Sequence, residues 1–125
     1  MLRAGKALHG LLHDSLKSAV ISLAILEDAA YGAPSRITVA KLKELSGVYK
    51  FILEAHGVEW LELSPSASKK FITGKGTSEK HVVARELARN HALHFRDDKG
   101  FDLSDAAALA VWGVTHGVER ALGQG

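Results

Sequence analysis

Two aspartates three residues apart, Asp102 and Asp105, open the stretch FDLSDAAALAVWGVTH from Phe101 to His116. Positions i and i+3 of a helix share a face, so both carboxylates leave the first turn in the same direction. Two readings fit them. Asp102 can cap the helix and Asp105 can complete a capping box, with Phe101 and Ala106 as a hydrophobic staple, and both acids suit the positive end of the helix dipole. The pair can instead hold a divalent metal. A third carboxylate, Glu27, follows the apolar run VISLAIL from Val20 to Leu26. The C-terminal end of a buried strand is where α/β folds place chemistry, although a solvated acid at a strand end is equally ordinary. Carboxylates converging from separate elements make the oxygen-rich site that Mg²⁺ prefers. Between them the chain carries Lys69, Lys70, Lys75 and Lys80. Acids for a metal and bases for phosphate are what metal-dependent phosphodiester hydrolysis requires. For any one of these lysines, solvated surface charge is the plainer reading.

The histidines add little. His9 and His13 stand at i and i+4, a metal-ligand spacing, but no third ligand accompanies them, and a solvated helix face is expected. His81, His91 and His94 read as surface. His116, late on an apolar helix, reads as a hydrogen-bonded core residue, with an extra catalytic base as the alternative.

The elements that must position these residues follow from periodicity. Arg3 to Ala19 reads as a helix with Leu8, Leu11, Leu12 and Leu16 on one face. Val20 to Leu26 reads as a buried strand, and Ala29 to Pro34 as a loop. Ser35 to His56 forms a second helix, ended by Gly57 as a C′ residue. Gly47 inside it costs about 1 kcal/mol relative to Ala, which suggests a close neighbour. Val58 to Leu63 is a strand with Trp60 in the core. Ser64-Pro65-Ser66 turns the chain into a short helix, Ser66 to Ile72. Thr73 to Thr77 is a flexible loop with Lys75 between two glycines. Ser78 to His91 is a helix with Val82, Val83, Leu87 and Ala88 inward. His94 to Gly100 is a polar connection, and the last helix runs from Asp102 to Leu122, apolar on nearly every face and therefore buried. Gly123 to Gly125 is a frayed tail. This order argues an α/β layer with a parallel pair, yet two strands are a thin sheet for so many helices.

Composition sets the outer bounds. A chain of 125 residues is expected to form one domain with a real core. A net charge of +2 permits nucleic-acid binding without demanding it. The absence of cysteine excludes disulfides and thiolate zinc sites. The apolar runs are too short or too interrupted to span a membrane, and the N-terminus lacks a secretory signal's long apolar centre. A cytoplasmic protein is expected.

Taken together, these segments resemble the RuvC-type Holliday junction resolvases, of the retroviral-integrase-like group of RNase H-like folds. AILEDAAYG resembles the strand bearing the family's catalytic Glu, which gives Glu27 that role. SPSASKKFITGKGTSEK resembles the segment with a K-x-x-x-G-x-G core, here Lys70 to Gly76, and a following Lys, here Lys80. FDLSDAAALAVWGVTH resembles the family's D-x-x-D-A helix, which makes Asp102 and Asp105 the last two acidic ligands. The resemblance implies an N-terminally truncated RNase H-like α/β fold, a small sheet packed by helices, as one nuclease domain over residues 1–125. It implies hydrolysis of phosphodiesters at four-way DNA junctions in recombination and repair, by a homodimer using Mg²⁺, with Mn²⁺ as a substitute. Glu27, Asp102 and Asp105 would then be catalytic metal ligands, and Lys69, Lys70, Lys75 and Lys80 would contact branched DNA. The family's domain begins with a β-hairpin array whose first strand carries an Asp; these 125 residues contain no such stretch, and the resemblance starts in the helix before the Glu strand. A second reading shares every base: a catalytically silent RNase H-like module that docks on DNA or on a protein partner. A third is a small regulatory α/β domain with a ligand pocket away from the acids.

Overall fold

The computed structural model describes residues 9, 21–28 and 35–124. The expected first helix lies outside the described residues apart from His9, which is helical, exposed and in edge contact with His56 at 4.9 Å between ring centroids. The loop expected over Ala29 to Pro34 also lies outside them. The chain divides into two compact units, Met1–Glu62 and Leu63–Gly125.

In the first unit, strand β1 (Leu23–Glu27) leads through helix α1 (Arg36–Ala55) to strand β2 (Glu59–Leu63), and the two strands pair as a two-stranded sheet. Glu27 is the last residue of β1 and is exposed there. Helix α1 stops where Gly57 takes a left-handed φ of 69°, a conformation that costs glycine nothing. The Gly57 N–H donates to the Glu54 carbonyl at 3.0 Å, and the Val58 N–H to Leu53 at 2.9 Å. This is a Schellman closure, and its customary apolar contact is also the core of the unit. Leu53 and Val58 are its buried residues, padded by Ile21, Ala24, Leu26, Ile52 and Trp60. The core placement expected of Trp60 therefore holds. Lys50 on α1 forms a salt bridge to Glu62 on β2. The close neighbour expected at Gly47 is not found: a Cβ there would meet nothing within 4 Å among the described residues.

In the second unit, helices α2 (Pro65–Thr73), α3 (Lys80–His91) and α4 (Asp102–Gln124) pack pairwise on one another. The Ser64 hydroxyl accepts from the Ala67 N–H at 3.2 Å, Pro65 occupies the first turn where its missing N–H costs nothing, and Gly74 closes α2 at φ 85°. Ile72, Val83, Leu87 and Ala108 form the core, one or two from each helix, with Leu93, Ala107 and Val111 against them. The last helix departs from expectation. It is not buried all round, because Leu103 is 52% and Val114 67% exposed. Its inner face is narrow, and small residues such as Ala106 and Ala110 stand outward on the other. Among the described residues no helix is long and apolar enough to cross a membrane.

Candidate functional site

Each unit holds part of the predicted acid set. In the first, Glu27 at the end of β1 borders a hollow of about 180 Å³ lined also by Leu26, Leu42, Leu45, Ser46 and Tyr49. In the second, Asp102 and Asp105 both stand in the first turn of α4. Within neither unit do three His, Asp or Glu side chains gather as a metal-holding group among the described residues.

The start of α4 corrects the capping reading. Its N-terminal N–H groups are served by Asp98, not by Asp102 or Asp105. One Asp98 carboxylate oxygen accepts from the Leu103 N–H at 3.0 Å. The other accepts from the Ser104 N–H at 2.9 Å and from the Ser104 hydroxyl at 2.8 Å. Burial of this carboxylate works to raise its pKa. The bonds from Leu103, Ser104 and the Asp102 N–H outweigh that effect and hold Asp98 below its usual range. The approach is made by left-handed residues at Asp97 (φ 55°) and Phe101 (φ 60°), which fold the connection back over the helix end. Sequence reasoning missed Asp98, which it placed in a plain polar connection. A cap reaching forward five and six residues has no local signature.

The two predicted acids are thereby relieved of capping. The Asp102 side chain is exposed and takes no hydrogen bond among the described residues. Asp105 is half-buried and pairs with Lys80, whose Nζ lies 3.2 Å from Oδ2 and 3.5 Å from the Gly100 carbonyl. Lys80 opens α3, two residues later than the helix start expected at Ser78. Acid and base from two helices therefore meet at one end of the bundle. Hard oxygen donors one turn apart on a helix fit a hard divalent cation, and these two carboxylates supply such donors.

The remaining predicted bases belong to the same unit. Lys69 and Lys70 lie on α2, the first half-buried and the second exposed, and Lys75 is exposed in the connection from α2 to α3. That connection was expected to be flexible. In the structure its two ends are joined by hydrogen bonds through Lys75 and the Thr73 and Ser78 hydroxyls, whose Oγ atoms lie 2.7 Å apart. His116 behaves as a structural histidine: its ring stacks on Trp112 at 4.0 Å, Nδ1 lies 3.0 Å from the Trp112 carbonyl, and Phe71 meets it edge-on at 5.8 Å. His81, His91 and His94 are exposed, as expected.

No family model matches this chain. It is 32% identical over 100 residues to the crossover junction endodeoxyribonuclease RuvC of Nitratidesulfovibrio vulgaris, covering 80% of this chain and 58% of that protein. To the RuvC of Campylobacter lari it is 37% identical over 75 residues, covering 59% of this chain and 46% of the relative. To that of Gloeobacter violaceus it is 31% identical over 86 residues, covering 69% and 47%. The chain thus spans about half the length of the curated relatives it matches. Among solved structures, that of Thermus thermophilus RuvC superposes with a TM-score of 0.70 at 17% identity, over 92% of this chain and 68% of that one. The chain is RuvC-like in sequence and in fold, and its mixed helix and strand content, with a two-stranded sheet among the described residues, agrees with the RNase H-like α/β fold expected above.

Proposed function

Starting from a RuvC-like sequence and fold, we propose that this chain belongs to a metal-dependent endodeoxyribonuclease that resolves four-way DNA junctions in recombination and repair. Both compact units belong, on this reading, to one nuclease domain, acting in the cytoplasm as a homodimer with one cut per subunit. Glu27, Asp102 and Asp105 are the catalytic carboxylates and would hold Mg²⁺, with Mn²⁺ as a substitute. When bound, the metal supplies an activated water and charge stabilisation at the leaving oxygen. Asp102 and Asp105 present hard oxygens from a helix turn that a different residue keeps closed. Lys69, Lys70 and Lys75 neutralise phosphate and make binding salt-dependent. Lys80 stands at the acids themselves, placed to meet negative charge that builds on the phosphate during cleavage.

The observation that carries this reading is the division of labour at the start of α4. Asp98 makes the cap, so Asp102 and Asp105 have no capping duty there, and Asp105 faces Lys80 from the neighbouring helix. The test is cleavage and binding of a four-way junction against linear duplex of the same base content, with and without Mg²⁺. The expected result is junction-preferring binding, with Mg²⁺-dependent cleavage that Asp102→Asn abolishes while leaving binding intact. Equal cleavage by variant and parent would remove Asp102 from the site. Indifference to junction structure would remove the resolvase reading.

The silent-module reading is favoured by one specific observation. Lys80 already pairs with Asp105 at 3.2 Å, and an ammonium held at a carboxylate competes with Mg²⁺ for its oxygens. Junction binding without cleavage at any Mg²⁺ concentration is its signature.

A further inference from the structure

An exposed lysine between two glycines ought to be the loosest residue in the molecule. Lys75 is not. Its N–H donates to the Thr73 hydroxyl oxygen at 3.1 Å. Its carbonyl accepts from the Ser78 N–H at 3.1 Å and lies 2.8 Å from the Ser78 hydroxyl. The two hydroxyl oxygens, 2.7 Å apart, close the ring. The Thr73 hydroxyl also reaches back to the Lys69 carbonyl at 2.8 Å, which fastens the ring to the last turn of α2. On the next residue, a Cβ at Gly76 would stand 2.6 Å from Ser66 Oγ and 3.2 Å from the Ser66 carbonyl oxygen, so the backbone lies directly against α2. Both main-chain polar groups of Lys75 are therefore held, while its side chain is left to solvent.

We infer that Thr73 and Ser78 are positioning residues for nucleic-acid binding: their paired hydroxyls clamp the backbone of Lys75 so that its ammonium meets a DNA phosphate from a fixed origin. The inference rests on the nuclease reading, which makes phosphate the target of this loop. It goes beyond that reading by assigning a role to two uncharged residues. A clamped backbone has lost its conformational freedom at folding and does not lose it again at binding, so affinity rises without any added charge. Helix α3, opened by Lys80, begins two residues beyond Ser78.

The experiment measures binding of the 125-residue chain to a four-way junction by fluorescence anisotropy across a KCl series. Lys75→Gln should flatten the plot of log affinity against log salt by about 0.9, because one phosphate contact is lost. Thr73→Val with Ser78→Ala should weaken binding roughly three- to thirtyfold at every salt, the cost of ordering about one residue, with the slope unchanged because no charge is removed. Thr73→Ser, which keeps the hydroxyl, should restore affinity. Amide hydrogen exchange at Lys75, measured without DNA, should accelerate in Thr73→Val and in Ser78→Ala singly, both checked for retained helicity. Parental affinity in the double variant, or parental protection of the Lys75 amide in the single ones, overturns the clamp. If the parent itself shows no salt-dependent DNA binding, the nuclease reading of the loop fails, and the inference with it.

Discussion

Gly76→Ala is the sharpest test of how tightly the basic connection is seated on α2. The new methyl would lie 2.6 Å from Ser66 Oγ, 3.2 Å from the Ser66 carbonyl oxygen and 3.7 Å from its carbon. The first contact is the end of a short side chain, which can rotate away. The second is backbone in the first turn of a capped helix and yields only if the loop lifts. Overpacking of this kind typically costs about 1–3 kcal/mol. Alanine also restricts the unfolded chain, which returns about 0.4–1 kcal/mol where the backbone angles tolerate it. The net expectation is a loss of about 0.5–2 kcal/mol, read as a lower urea midpoint at constant slope by circular dichroism. Ser66→Ala combined with Gly76→Ala removes the shorter contact and leaves the carbonyl one. The double variant should therefore recover part of the loss, with a coupling of about 0.5–1 kcal/mol between the two sites. A Gly76→Ala protein as stable as its parent, or more so, would show that the connection is not pressed on Ser66, and the geometry argued for Lys75 would go with it.

Two further outcomes follow from the start of α4. Asp98 has its pKa held below the usual carboxylate value, so the stability it contributes is present above that value and fades as pH falls through the lowered one. Asp98→Asn should therefore be less stable than the parent at neutral pH, and the gap should narrow in thermal melts taken below about pH 4; a gap independent of pH would refute the charged cap. Lys80→Met breaks an exposed pair with Asp105 and should cost under about 1 kcal/mol in urea melts without metal, while Mn²⁺ affinity, read from the paramagnetic resonance of the free ion, should rise because a competing cation is gone. A loss of several kcal/mol, or weaker Mn²⁺ binding, would refute that account.

Much of the fold was legible because its signals are local. Gly57 stops α1 where a C′ glycine was expected, and Ser64-Pro65 starts the short helix α2. The apolar run through Leu26 gives a strand that ends on Glu27. Other features depend on which partner lies opposite, which no periodicity encodes. Gly47 looked like a contact, and a Cβ there meets nothing within 4 Å among the described residues. Leu103 and Val114 looked inward because their helix is apolar nearly everywhere, yet the two helices that pack on α4 in its unit leave it an outer side. The two glycines around Lys75 promised mobility, and the hydroxyls two residues before and three after it hydrogen-bond its main-chain groups. At the candidate site, type and spacing singled out the acids and bases. The residue that keeps the helix mouth in order was not singled out, because Asp98 reaches it only through left-handed turns at Asp97 and Phe101.

Because the structural anchor at the mouth of α4 sits outside the acid pair, chemistry and architecture can drift apart in this lineage. A copy that exchanged both aspartates for neutral residues would still wind the same helix and bury Leu87 and Ala108 as before, although Lys80 would lose its partner. Such a descendant would pass any screen based on helicity, whatever the two aspartates do in the parent. Only Asp98, conspicuous in no motif, would have to stay.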